Sequence, residues 1–317
     1  MKKILLFLKQ WMLLIAIVVG AVGHSFFSQF SALSPVLLVS MLLLTYSNLA
    51  NRDLRFHPLL FLLLALQIAG GLLCYAVIDP LHPLLAQSAC LCILAPTATA
   101  AATITLMLGG NLGFTVAYTL LSSMAVVVDM PLIVPVMAQG VDLSFLEFML
   151  NVFSRVAPLM LCPLIFVLAL KRYAPKAHKA LQKKSFLTFY IWAIMLLILM
   201  GNTFEILMAP GKKDYVLEIM LAGVGIVICG IQFIIGKSLG SRFHRRIAAG
   251  QALGQKNLLF TMWITFQYLD ATIYVALAFY SVMQNSINSV QIWLQGRRNQ
   301  RIVDRIHAQR AIRRQNK

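Results

Sequence analysis

Apolar residues in this chain are grouped into long runs that are separated by short polar segments. Each of ten runs approaches the roughly 20 residues that a helix needs to cross the hydrocarbon core of a bilayer. Their approximate limits are 11–30, 33–50, 58–78, 84–108, 111–137, 146–170, 185–208, 217–236, 246–268 and 271–295. The pattern predicts an all-α integral membrane protein with ten transmembrane helices, numbered here as spans 1–10.

The positions of lysine and arginine predict how these spans are oriented. The loops after spans 2, 6 and 8 and both ends of the chain are basic. The loops on the opposite side carry aspartates, and Lys212 and Lys213 are their basic residues. Because positively charged loops stay in the cytoplasm, we expect both termini there. The short loops are typical of a bacterial inner-membrane protein.

Composition supports a membrane location and excludes two other classes. The chain is 60% hydrophobic, against roughly 45–50% in soluble domains, and its mean hydropathy is +0.82. The net charge of +17 lies in short loops and the C-terminal tail. A nucleic-acid partner would need a basic patch on a soluble module, so membrane lipid is the expected partner instead. The five cysteines lie in apolar runs without the spacing of a metal site or disulfide framework.

Spans 4 and 9 each contain residues that weaken a helix next to polar side chains. Pro96 removes a backbone donor in the middle of span 4, and Gly250 and Gly254 flank a polar cluster in span 9. Each is the fourth span of a group of five, so matched breaks predict two inverted five-helix repeats with a site where the helices are interrupted. The units are 1–138 and 139–295, followed by a basic cytoplasmic tail at 296–317. The simpler alternative is that Pro and Gly are common in membrane helices.

The tail from Gly296 to Lys317 has two interpretations. It mixes arginines with Ile302, Val303 and Ile306, which suits an amphipathic helix on the inner leaflet. The simpler interpretation, which we favour, is a solvated and partly frayed tail that follows the distribution of positive charge.

Polar residues inside a span are costly and usually functional, but here they form no catalytic pattern. Span 5 is rich in Thr and Ser, and span 10 contains Gln284, Asn285 and Asn288. Motifs for a nucleophile, a metalloprotease or a phosphate-binding loop are missing, as is a pair of aspartates on neighbouring spans. We therefore expect a protein that is not an enzyme and needs no cofactor, apart from Na⁺ or H⁺ as a coupling ion.

The stretch from Leu94 to Ala102, with the sequence Leu-Ala-Pro-Thr-Ala-Thr-Ala-Ala-Ala, resembles a motif of the bile acid:sodium symporter family. The family motif is Cys-Pro-Gly-Gly-x-x-Ser-Asn, and Gly-Gly-Asn-Leu-Gly from Gly109 followed by the hydroxyl-rich span 5 extends the similarity. The resemblance implies ten helices in two inverted repeats, arranged as a panel domain and a core domain, with spans 4 and 9 broken and crossing. It also implies secondary transport of an organic anion.

Several residues depart from this motif at the positions that bind sodium in the family. The motif serine and asparagine fall on Ala101 and Ala102. In span 9, where the family has Glu-x-Gly-x-Gln-Asn, the glutamate falls on Gln251 and the asparagine on Lys256. A degenerate sodium site would keep Gln67, Thr115, Thr119 and Gln255. The complete set of candidate substrate or ion ligands is Gln67, Pro96, Thr97, Thr99, Ala101, Ala102, Thr115, Thr119, Gln251, Gly254, Gln255, Lys256 and Asn257.

Lys256 introduces a positive charge where relatives bind a cation. Sodium prefers several oxygen ligands and a carboxylate, so we hypothesise that the Lys256 ammonium replaces it and that transport is independent of sodium or coupled to protons. Asp129 is a candidate counter-charge. The alternative is that Lys256 snorkels to the cytoplasmic interface, since Arg246 lies ten residues earlier.

The sequence thus predicts a secondary active transporter for a small or amphipathic organic anion. Helix N-termini at the breaks favour negative groups. The alternative function is a sensor or scaffold that has kept a transporter fold without transport, for which the alanines at the ion site are the evidence.

Overall fold

The computed structural model describes residues 12, 15–47, 57–98, 100–138, 144–208 and 214–315. These residues are almost entirely helical, which confirms the prediction of an all-α protein. The helices are α1 (15–22), α2 (His24–Phe27), α3 (Ser34–Ser47), α4 (Pro58–Ile78), α5 (Pro83–Leu94), α6 (Ala100–Met107), α7 (Leu112–Met137), α8 (Phe145–Tyr173), α9 (Pro175–Lys183), α10 (Leu187–Met208), α11 (Tyr215–Arg242), α12 (Arg246–Gly254), α13 (Leu258–Tyr268) and α14 (Tyr274–Gln315). Short 3-10 segments cover Ser28–Leu33 and Ala271–Ile273.

Five helical segments in the described part of the chain are long and apolar enough to cross a membrane. They are His24–Ser47, Pro58–Ile78, Leu112–Met137, Leu187–Glu205 and Tyr215–Arg242. Many of their large apolar side chains are exposed to the surroundings, including Leu73, Val77 and Ile219. Such surfaces are stable in lipid and costly in water, so the chain is an all-α membrane protein.

The chain reverses direction between α1 and α3. Gly20 of α1 packs against Leu197 of α10, and His24 hydrogen-bonds Glu205 at 2.7 Å. As the chain runs from Gly20 to His24, its contacts on α10 move from Leu197 to Glu205. Helices α1 and α10 therefore run in the same direction.

Helix α3 returns along α10 in the opposite direction. Ser34 shares a cavity with Asn202, whereas Met41 shares a second cavity with Trp192. Residues 15–47 therefore form two antiparallel segments, joined by α2 and the 3-10 segment.

Both predicted breaks are present. Helix α5 ends at Leu94 and α6 begins at Ala100, and α12 ends at Gly254 while α13 begins at Leu258. Pro96 and Gly254 lie in or next to these interruptions. The break in span 4 has the expected cause, because proline supplies no amide hydrogen and a helix rarely continues through the residue before it.

The helices pack in two groups. In the first group, α2 and α3 pack on α10, α3 also packs on α8, and α9 contacts α8 and α3. In the second group, α5 packs on α4 and α11, α11 on α12 and α14, and α12 on α7. Helix α10 contacts α6 and α14 across the boundary, and α7 contacts α8. Both broken helix pairs belong to the second group.

The tail differs from the favoured prediction. The backbone of α14 stays helical from Tyr274 to Gln315, a length of 42 residues or about 63 Å at 1.5 Å per residue. After Gly296 the sequence has no further Gly or Pro to end the helix. Residues 296–315 therefore extend α14 instead of forming a separate frayed segment.

Glycines allow α11 to approach α14 and α12 closely. A Cβ atom on Gly225 would lie 2.1 Å from the Ala276 carbonyl oxygen, and one on Gly236 would lie 2.5 Å from that of Ala249. Both distances are far below van der Waals contact, so side chains at these positions would push the helices apart. Gly223, two residues before Gly225, has open space around its Cβ position.

We predict that Gly225→Ala destabilises the protein by about 1–3 kcal/mol, the usual cost of overpacking. Gly223→Ala is the matched control on the same helix, and we expect it to leave stability unchanged or slightly higher because alanine favours helix. Thermal unfolding of the purified protein in detergent measures both. Equal melting temperatures for the two variants would contradict the packing described above.

Candidate functional site

The two breaks cross each other and are joined by backbone hydrogen bonds. Thr97 and Lys256 face each other as an isolated antiparallel bridge. The Ala98 amide donates to the Gln255 carbonyl at 2.9 Å, and the Asn257 amide donates to the Pro96 carbonyl at 2.7 Å. Each interrupted segment therefore satisfies polar groups that the other segment exposes.

Helix α14 completes the hydrogen bonding of the second break through Gln284. Its Oε1 accepts from the Lys256 amide at 2.8 Å, and its Nε2 donates to the Lys256 carbonyl at 3.2 Å. The side-chain amide of Gln284 thus makes the two hydrogen bonds that a neighbouring strand would otherwise make to Lys256. In the first break, the Thr97 amide donates to Ser122 Oγ at 3.1 Å, and Thr97 Oγ1 donates to the Ala252 carbonyl at 2.6 Å.

Gln67 of α4 caps the end of α5. Its Nε2 donates to the carbonyls of Leu94 and Ala95 at 3.1 and 3.3 Å, and its Oε1 accepts from Tyr118 at 2.9 Å. The amide that the sequence analysis assigned to a sodium site is therefore engaged in holding the broken helix. Gln67 is 1% exposed.

Gln232 of α11 and Tyr280 of α14 also hydrogen-bond carbonyls near the ends of the broken helices. Gln232 Nε2 donates to the Cys92 carbonyl and to the Tyr280 hydroxyl, both at 3.1 Å. Tyr280 in turn donates to the Gly254 carbonyl at 3.0 Å, at the end of α12. The last turns of both half-helices, α5 and α12, therefore receive hydrogen bonds from side chains of neighbouring helices.

Three buried amides form a chain beside the crossing. Gln251 Nε2 donates to Asn288 Oδ1 at 2.8 Å, and Asn288 Nδ2 donates to Gln255 Oε1. All three side chains are fully buried. The chain is electrically neutral, and it contains Gln251, where the resembled motif has a glutamate.

Lys256 is buried at the centre of the crossing. Its side chain is 1% exposed, and its Nζ has no hydrogen-bond partner among the described residues. This burial is inconsistent with snorkelling to the cytoplasmic interface. Asp129 is half-buried on α7, and the described side chains include no ion pair between it and Lys256.

Among the remaining predicted ligands, Thr115 and Thr119 hydrogen-bond to groups of α6 and α7, whereas Asn257 lies at the crossing. Thr115 bonds Thr105 at 3.0 Å, and Thr119 Oγ1 donates to the carbonyl of Thr115 on its own helix at 2.9 Å. Ala101 and Ala102 are buried on α6. Asn257 caps α13 by accepting from the Phe260 amide. Thr99 lies outside the described residues.

The proposed remnant of a sodium site is therefore divided among separate hydrogen-bond groups. Gln67 belongs to the end of α5, Thr115 and Thr119 to α7, and Gln255 to the amide chain. Clusters of three or more His, Cys, Asp or Glu that would hold a metal are absent from the described part of the chain.

Unpartnered polar atoms collect around the crossing. Besides Lys256 Nζ, they include Gln232 Oε1, Gln251 Oε1, Gln255 Nε2 and Asn285 Oδ1, all of them buried. Because a buried polar atom without a partner costs free energy, this region of the described structure has unused capacity for a polar ligand.

A row of buried polar residues on one face of α14 lies at the site, although the sequence analysis did not assign it there. Ser281, Gln284, Asn285, Asn288 and Ser289 are all at most 4% exposed. Their spacing of i, i+3, i+4, i+7 and i+8 places them on one helical face. The sequence analysis named Gln284, Asn285 and Asn288 as polar residues of span 10. The spacing that places all five on one helical face was the signal that would have assigned them to the site.

Two neighbouring cavities lie between the helix groups. The larger has a volume of about 320 Å³ and is lined by residues of α3, α10, α13 and α14, among them Asn202, Phe260, Trp263 and Tyr274. The smaller, about 50 Å³, reaches Lys256, Gln284 and Asn285. Leu38, Leu199 and Leu259 line both cavities, so the aromatic cavity adjoins the one at the polar crossing.

Comparison with families and curated proteins identifies no relative of this chain. No protein-family model matches the chain, and no curated protein matches its sequence. The helices and the crossing define the class, an all-α membrane protein with a buried polar centre.

We predict that Gln284→Met destabilises the protein, since it leaves the amide and carbonyl of Lys256 buried without partners at a cost of about 1–3 kcal/mol each. Methionine keeps the size of glutamine and removes only its polar atoms. Ser286→Ala is the control on the same helix, because Ser286 bonds only the Val282 carbonyl of its own helix. Melting temperatures in detergent provide the measurement, and equal values for both variants would contradict the role of Gln284.

Proposed function

We propose that the chain consists of two five-helix units of inverted topology, 1–138 and 139–295, with ten transmembrane spans. The matched positions of the two breaks support this division. Thr97 in the first break and Lys256 in the second are 159 residues apart (256 − 97) and face each other in the crossing. The same shift carries the end of α5 at Leu94 and the start of α6 at Ala100 to within one residue of the end of α12 at Gly254 and the start of α13 at Leu258.

Helix ends and packing support the same relation. Asn111 caps the start of α7, and Asp270, 159 residues later (270 − 111), caps the 3-10 segment before α14. Helix α2 packs on α10 as α8 packs on α3, and α5 packs on α14 as α12 packs on α7. In this proposal the first helix group is the panel domain and the second is the core domain.

The proposed function is secondary active transport of a small or amphipathic organic anion by alternating access. The single observation that carries it is the buried polar crossing of two interrupted helices next to a cavity between the two helix groups. Interrupted helices at membrane depth occur where they line a site. Relative movement of the two groups would open that cavity to alternate sides.

The chemistry of the cavity favours an anion with an apolar part. Phe260, Trp263 and Tyr274 line its larger portion, which suits an apolar body. At the other end lie the Lys256 ammonium and the start of α13, where helix dipoles favour negative charge. This assignment agrees with the resemblance to bile acid:sodium symporters, with the protein in a bacterial inner membrane and both termini in the cytoplasm.

We further propose that transport does not depend on sodium. The position of the expected glutamate is Gln251, which lies in a neutral amide chain. Two expected polar ligands are alanines, and Lys256 stands where the family motif has asparagine. A sodium ion would lack a carboxylate, and it would be repelled by Lys256 whenever that amine is protonated.

Uptake into proteoliposomes tests these proposals. The substrates are labelled taurocholate and short-chain carboxylates, presented with a sodium gradient, a proton gradient or neither. We expect anion uptake in the wild type that changes less than twofold when potassium replaces sodium. Lys256→Met should reduce it at least tenfold, since the amine that would pair with the anion is lost. Lys183→Met, on the exposed surface of α9, is the control and should transport normally.

Two results would contradict the proposals in different ways. Strong stimulation by sodium that persists in Lys256→Met would overturn the role of the ammonium but keep transport. Absence of flux for every substrate, with a folded protein in the bilayer, would favour the sensor or scaffold alternative.

Access to the cavity provides a separate test. Ser34→Cys, at a position that lines the larger cavity, should react with a small thiol reagent, and a transported anion should slow the reaction. Lys179→Cys, exposed on the polar helix α9, serves as the control and should react at the same rate with or without the anion. Equal protection of both positions, or of neither, would contradict binding in this cavity.

A further inference from the structure

A second large cavity lies outside the transport site, in a groove between α4 and α11. It has a volume of about 550 Å³ and is lined by residues 66–78 of α4 and 228–235 of α11, with Ile93 and Leu253 among the residues of α5 and α12 that line it. We propose that this α4–α11 groove binds a single acyl chain of a phospholipid. The proposal goes beyond transport and does not depend on it.

The longer wall of the groove matches one leaflet of a bilayer. The lining residues of α4 extend from Leu66 to Ile78, which is 12 steps of 1.5 Å or about 18 Å. Those of α11 cover residues 228–235, or about 10 Å. Half of a hydrocarbon core about 30 Å thick is about 15 Å. Leu66 lies near the middle of α4 and Ile78 at its end, so the groove runs from mid-membrane to one surface.

The width of the groove excludes a helix of a second copy. A volume of about 550 Å³ over about 10–18 Å gives a mean cross-section of about 30–55 Å². A helix about 10 Å across occupies about 80 Å². An extended hydrocarbon chain, which is much thinner than a helix, is the membrane component that fits.

The walls of the groove are suited to hydrocarbon. Helices α4 and α11 are both apolar enough to span a membrane, and Leu66, Leu73 and Ile231 expose 40%, 66% and 44% of their surface. Gln67 and Gln232 also line the groove, but their amide nitrogens donate to carbonyls of α5. Water in this space would meet mostly apolar atoms, whereas an acyl chain would bury them.

Gly70 provides the means to fill the groove. A Cβ atom there would have as its nearest neighbour Ile93 Cγ2, 4.0 Å away, so a larger side chain can enter without displacing backbone. Gly230 on α11 has no neighbour within 4 Å and does not line the groove. Phe at position 70 therefore blocks the groove, and Phe at position 230 adds the same bulk elsewhere.

The test is photo-crosslinking in proteoliposomes that contain phosphatidylcholine with a diazirine near the end of one acyl chain. We expect mass spectrometry to find the label on peptides that contain Leu66–Leu73 and Ile231–Ile235. Gly70→Phe should reduce this labelling at least fivefold, and Gly230→Phe should leave it unchanged. If Gly70→Phe fails to fold, Ile231→Trp blocks the groove from the opposite wall.

Two results would overturn the proposal that the groove binds an acyl chain. Labelling of these peptides that Gly70→Phe and Ile231→Trp leave unchanged would overturn the proposal. So would labelling spread evenly over the exposed helix faces.

Discussion

The need to satisfy backbone hydrogen bonds at membrane depth is the constraint on which the rest of the structure depends. Two interrupted helices expose amides and carbonyls where water and lipid offer no adequate partners. The chain meets this need by crossing the breaks, so that Ala98 bonds Gln255 and Asn257 bonds Pro96. Gln284 then pairs with both polar groups of the Lys256 backbone. The crossing is therefore held by specific bonds from several helices.

The same constraint explains why so many amide side chains lie in the apolar interior. Gln67 and Gln232 bind carbonyls at the end of α5, and Tyr280 binds the end of α12. A neutral amide can both donate and accept without the desolvation cost of a charge. Lys256 is the exception, since its side-chain nitrogen is buried without a hydrogen-bond partner in the described structure. Such burial costs stability, and the anion binding proposed above would offset that cost.

The helix groups and the glycine contacts determine how the crossing is held within the protein. Close packing of α11 on α14 and α12, through Gly225 and Gly236, fixes the helices that surround the crossing. The cavities lie at the boundary with α3 and α10. In the proposed mechanism this boundary is where the two groups move relative to each other.

The sequence by itself determined the helical class, the membrane location and the two breaks. Apolar runs, Pro96 and the Gly250–Gly254 segment act locally, so their effects follow from composition and spacing. Only the tertiary structure decided which polar groups meet. Gln67 and Gln251 were correctly identified as buried polar candidates, but their partners, Leu94 and Asn288, are 27 and 37 residues away. The extension of α14 and the burial of Lys256 also depended on packing, because neither helix continuation nor side-chain direction is set by local spacing alone.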